Sequence, residues 1–126
     1  MDLKKKIDDF RQLMAHRKFQ RNNGTKIKMA WTALVKAEEG LPAYQANITV
    51  TLGVSISIIE QRRVNCHPRR RVLFIPDDVE TYDSDGNTIE INFTADSKIP
   101  NTQIMFATVG ERMEFEVAYR TFMGYR

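Results

Sequence analysis

The 126-residue chain is 42% hydrophobic and 28% charged with a net charge of +3, values that fit one globular domain and exclude a disordered chain, a collagen or a coiled coil. No apolar run approaches the ~20 residues of a transmembrane helix, and no apolar stretch follows Lys4-Lys5-Lys6 to make a secretory signal. The charge is divided unevenly, since residues 1–71 carry 15 Lys/Arg against 6 Asp/Glu and residues 72–126 carry 4 against 10, nets of +9 and −6.

Taken in chain order, the first element is a helix over residues 2–19, where Leu3, Ile7, Phe10, Leu13 and Met14 form one apolar stripe. Lys4, Lys5 and Lys6 stand in its first turn, where cations oppose the helix dipole at a cost of a few tenths of a kcal/mol each. They are either solvated or face an anionic contact, an acidic lipid surface included. Asn22-Asn23-Gly24 is turn chemistry. Ile27, Trp31, Leu34 and Val35 then predict a second helix from about Thr25 to Glu39, stopped by Gly40 and Pro42, although Lys26 to Met29 alternate as a short strand would.

From Tyr44 the period changes to two. Ile48, Val50, Leu52, Val54, Ile56 and Ile58 alternate with small or polar residues, which predicts one long strand bent at Gly53. Further strands are expected over 72–75, 79–82, 88–93, 104–108 and 114–122. The hairpin at Asp83–Asn87 is best registered through a three-residue Ser84-Asp85-Gly86 loop, which sets Val79 opposite Ile91 and Thr81 opposite Ile89. In the final strand, Phe115, Val117 and Tyr119 occupy one side and Glu114, Glu116 and Arg120 the other. The expected fold is therefore α+β: two N-terminal helices on a mainly antiparallel sheet or small β-sandwich of about six strands. It forms a single domain over 1–126, with a helical part at 1–41 and a β-rich core at 44–122.

The densest chemical feature is Arg62-Arg63-Val64-Asn65-Cys66-His67-Pro68-Arg69-Arg70-Arg71. Guanidinium forks pair bidentately with phosphates and carboxylates, and five on one inter-strand segment repel one another unless anions intervene. Arg62, Arg63, Arg69, Arg70 and Arg71, with Lys4, Lys5 and Lys6, are the candidate anion- or nucleic-acid-binding residues. The alternative partner for them is the acidic C-terminal half, within one chain or across an interface where Glu114 and Glu116 would contribute. Tyr44, Tyr82 and Phe106 are either stacking faces for a single strand or core residues.

Other patterns carry less. Asp83, Asp85 and Asn87 alternate, but Gly86 and Thr94 occupy the wrong positions for a calcium loop, and turn chemistry explains them. Two histidines, His16 and His67, make no metal set, and adjacency of Cys66 to His67 does not build a nucleophile–base pair. The single cysteine fits a reducing compartment. Asn47-Ile48-Thr49 and Asn92-Phe93-Thr94 match the glycosylation pattern inside expected strands.

No cofactor, metal or small-molecule substrate is implied. Two functions remain. The first is a non-enzymatic structural or assembly protein of the viral or phage type, cytoplasmic or in a particle, which self-associates and meets an anionic partner through its basic surface. The second is a stand-alone nucleic-acid-binding module resembling an OB barrel.

Overall fold

The period-two alternation foreshadowed at Lys26 to Met29 runs on through Lys36. In a computed structural model, which describes residues 20–22, 26–37, 40–61 and 70–124, Lys26–Lys36 is a strand and not the expected second helix. Met29, Trp31, Ala33 and Val35 are buried and the intervening residues are exposed. The helix-forming Ala, Met, Leu and Lys in this stretch give it a helical look, but burial on alternate positions decides the conformation, as tertiary context often does. The helix expected over 2–19 lies outside the described residues.

Among the described residues eight strands follow one another as β1 (Gln20–Asn22), β2 (Lys26–Lys36), β3 (Tyr44–Thr51), β4 (Ser55–Glu60), β5 (Arg71–Phe74), β6 (Val79–Asp85), β7 (Thr88–Phe93) and β8 (Thr102–Met105). A single helix, α1 (Val109–Met123), comes last among the described residues. Seven strands make one antiparallel sheet in the order β5-β4-β3-β2-β8-β7-β6, and β1 pairs with the start of β2. The described architecture is mostly β with a C-terminal helix; it corrects the expected second helix to a strand and the expected final strand to a helix.

The long strand from Ile48 to Ile58 is two strands, β3 and β4, folded back at Leu52-Gly53-Val54. Gly53 takes a φ of 76°, and Val54 N–H donates to the Thr51 carbonyl at 3.1 Å. Ile48 pairs with Ile58 and Val50 with Ile56. Because the pairing is symmetric about Gly53, even-numbered residues of both strands share one face, so a hairpin preserves the alternation that a straight strand would show.

The final strand is instead α1. Phe115, Ala118, Tyr119 and Phe122 are buried at helical spacing. Thr108 caps the helix by accepting a hydrogen bond from the Glu111 N–H at 3.1 Å. The β6–β7 hairpin also differs in register: Asp85 pairs with Thr88, Ser84 with Ile89 and Tyr82 with Ile91, around a two-residue Gly86-Asn87 turn. Gly86 has a φ of 60° at the first central position, as a II′ turn requires. A bulge between Val79 and Thr81 returns Val79 to the inner face.

β5 and β6 stand at the two ends of the strand order yet are joined only by Ile75 and the 3-10 turn Pro76–Asp78. Laid flat, seven strands would separate these edges by about 29 Å, whereas four linking residues reach about 17 Å. The sheet must therefore curl until its edges approach. Phe74 of β5 meets Phe93 of β7 with ring centroids 4.9 Å apart. α1 lies on the concave side, where Phe115 touches Trp31 at 5.4 Å and Phe106 at 5.2 Å, and Phe122 reaches Phe74 at 6.3 Å. No helix among the described residues is long and apolar enough to cross a membrane.

Candidate functional site

The Arg-rich segment leaves the sheet at the end of β4 and returns at the start of β5, and the two ends are tied together. Glu60 N–H donates to the Arg70 carbonyl at 2.9 Å, Arg70 N–H donates to Glu60 Oε1 at 3.2 Å, and the guanidinium Nε lies 3.9 Å from Glu60 Oε2. Arg70 Nη1 also donates to the Pro42 carbonyl at 3.3 Å, and its Cζ sits 4.6 Å above the Tyr44 ring. Burial pushes the Tyr44 hydroxyl above its ordinary pKa of 10.0, Arg70 opposes that shift and Glu60 adds to it. Arg70 is thus a structural clamp at the neck of the segment.

Arg71, one residue on, is different. It faces outward on β5 opposite Ile59, is exposed, and forms no ion pair among the described residues. With Arg70 it lines a cleft of about 250 Å³ whose other walls are Ala37, Leu41, Pro42, Tyr44, Val72 and Pro100. Two guanidiniums beside an apolar floor suit an anionic group carried on an apolar body. Arg62, Arg63, Arg69, Lys4, Lys5 and Lys6, and also His16, Cys66 and His67, lie outside the described residues.

The acidic half has its own arrangement. Glu116, expected at a self-association surface, is 6% exposed, with its two carboxylate oxygens taken by Arg112 and by Arg120, the latter at 2.6 Å. Arg120 Nε donates to the Tyr82 hydroxyl at 2.7 Å, a contact that raises the Arg120 pKa against the opposing effect of burial. Glu114 is half-buried on the same helix. On β6 and β7, by contrast, Asp83 stands directly opposite Glu90, both exposed, with Glu80 and Asp85 exposed nearby in sequence.

The ion pairs described each join residues of one half of the sequence: Arg70 with Glu60, and Arg112 and Arg120 with Glu116. The alternative in which the arginines pair with the acidic C-terminal half inside one chain is therefore not what Arg70 and Arg71 do. The carboxylate row on β6–β7 is not legible in the sequence, because its key contact, Asp83 across from Glu90, depends on the hairpin register.

The remaining candidates are absorbed by the fold. Tyr44 is buried beneath Arg70, Phe106 is buried against Phe115, and Tyr82 packs on Tyr119 at 4.8 Å. Asn87, in the hairpin turn, donates from Nδ2 to the Phe106 carbonyl at 2.8 Å, and Asp83, within β6, accepts from Ser84 N–H on Oδ1 at 3.0 Å. Asn47 accepts from Gln61 Nε2 at 3.2 Å and Asn92 donates to Thr81 at 3.1 Å across paired strands. Among the described residues no three His, Cys, Asp or Glu side chains converge to hold a metal. No protein-family model, curated protein or solved structure matches this chain.

Proposed function

We propose that this chain is a non-enzymatic assembly protein of the viral or phage structural type. It self-associates, and it receives an anionic partner on the basic, partly apolar surface around β5. The observation that carries this reading is the segregation of the ion pairs. Arg70 uses a carboxylate of its own half and Arg112 and Arg120 share Glu116, so none of these ion pairs joins a charge of one half to the other, which supports separate basic and acidic surfaces. Arg71 and the cleft beside it are the described part of the basic surface, and the Arg62–Arg69 segment is rooted at its rim.

A single-strand-binding module would use the same arginines together with exposed aromatic faces. Tyr44, Tyr82 and Phe106 are instead engaged with Arg70, Tyr119 and Phe115, which favours the assembly reading. Size-exclusion chromatography with light scattering, recording absorbance at 260 and 280 nm at low and high salt, tests it. The expected result is a defined multimer free of nucleic acid. A monomer that carries nucleic acid at low salt and sheds it at high salt would overturn the reading in favour of the binding module.

A further inference from the structure

We infer that the anionic partner of the β5 surface is the β6–β7 face of a second copy of this chain, so that copies join head to tail. The inference rests on the assembly reading above and names the partner of that same surface. On β5 and just beyond it, Arg71, Leu73 and Ile75 alternate outward. Leu73 is 66% and Ile75 45% exposed, and Ile59, half-buried, lies opposite Arg71 on β4. This is a cation at the end of a short apolar row. On the hairpin, Asp83 and Glu90 face each other across a strand pair, an arrangement of like charges that destabilises a sheet unless a cation is brought to it. No ion pair among the described residues supplies one.

The two surfaces are complementary in sign and belong to the two end strands of the sheet. Among the described residues β5 pairs only with β4, and β6 only with β7. A two-fold contact at either surface would set Arg71 near Arg71, or carboxylates on carboxylates. A reciprocal two-fold pair, in which each copy's basic surface meets the other's acidic one, closes at two chains, whereas a head-to-tail contact leaves one surface of each kind open and repeats until it closes a ring or grows as a filament.

That geometry has a direct test by mixing. One variant, Arg71→Glu with Leu73→Ser, loses the basic surface and keeps the acidic one. A second, Asp83→Lys with Glu90→Lys, loses the acidic surface and keeps the basic one. All four positions are exposed, and circular dichroism confirms folding; the single variants R71E and E90K repeat the experiment if either pair fails to fold. By light scattering at low salt, wild type should exceed the mass of two 14.6 kDa chains, a wild-type dimer overturning the head-to-tail contact, while each variant alone should fall to one chain. An equimolar mixture should form a species of two chains and nothing larger, because each pair has one working contact. High salt should dissociate it. A wild-type multimer whose variant mixture stays monomeric, or variants that assemble as wild type does, would overturn the head-to-tail contact and leave the assembly reading standing. A wild-type monomer would remove both.

Discussion

At the scale of single residues, Glu116 is the group on which most depends. Its carboxylate is nearly enclosed and joins two arginines one helical turn to either side, and Arg120 carries the connection on to the Tyr82 hydroxyl. Removing one partner from an enclosed pair leaves the others unsatisfied, which costs more than the pair contributes. Glu116→Gln should therefore lower the free energy of unfolding by about 2–3 kcal/mol, read from urea denaturation followed by circular dichroism. A loss under 0.5 kcal/mol would mean that the arginines find water instead. Tyr44 gives a pH prediction. Its folded pKa is raised by burial, so the folded state holds the phenolic proton more tightly than the unfolded state. That contribution is complete below the unfolded pKa near 10 and is lost as pH climbs through the folded value. The difference in 295 nm titration between wild type and Tyr44→Phe should place the Tyr44 midpoint above 10, and wild type should lose more stability than Tyr44→Phe between pH 9 and 11.

At the scale of elements, Gly53 decides whether residues 44–60 form one strand or a hairpin. Its φ of 76° is costly for any residue with a Cβ, while a Cβ there would meet no atom within 4 Å. Gly53→Ala should thus cost about 1–2 kcal/mol through backbone conformation alone, without disturbing packing. Unchanged stability in thermal melts would be the outcome of a turn that does not need the left-handed region. Thr108→Ala, which deletes the α1 cap, should cost about 1 kcal/mol by the same assay. These two elements also show what could be read from the residues. Which of Ile48, Val50, Ile56 and Ile58 face inward was legible, as were the strands at 72–75, 79–82, 88–93 and 104–108 in position if not in length. That Gly53 reverses the chain was not, because an odd loop leaves the period-two pattern unbroken. In 109–123 the alternation of Phe115, Val117 and Tyr119 competes with the spacing of Phe115, Ala118, Tyr119 and Phe122. The helical reading has a start signal in Thr108-Val109-Gly110-Glu111, the Ser/Thr-x-x-Glu pattern of a capped N-terminus. In β2 the reverse happens, with helix-forming residues held extended because β3 lies along residues 28–35 and β8 along 34–36. Of the candidate site, the basic character of Arg70 and Arg71 was legible, but their division into clamp and exposed cation was not. It depends on Glu60 of β4, Tyr44 of β3 and Pro42, which precedes β3, converging on Arg70.

At the scale of the whole molecule, the curl of the sheet and the position of α1 are one fact seen from two sides. Four residues between β5 and β6 force the edges together, and the space enclosed on the concave side is filled by Phe115, Ala118, Tyr119 and Phe122. A sheet curled around a helix has no second layer to bury its inner face, so the helix and the sheet share a single core and should unfold as one unit. Trp31, the only tryptophan, reports on this directly: it belongs to β2, and its ring meets Phe115 of α1 edge-on at 5.4 Å. In urea, the loss of Trp31 fluorescence and the loss of far-UV circular dichroism should trace the same transition. Phe115→Ala removes the side chain that also touches Phe106 and Tyr119, and it should lower stability by about 3–5 kcal/mol, moving both transitions together. Were the fluorescence transition to move to lower urea while the dichroism of the sheet stayed in place, α1 would be an appendage docked on an independently stable sheet. The arginine clamp at Glu60 and the carboxylate row at Asp83 and Glu90 would then be held by the sheet alone, and copies lacking a docked helix would still assemble.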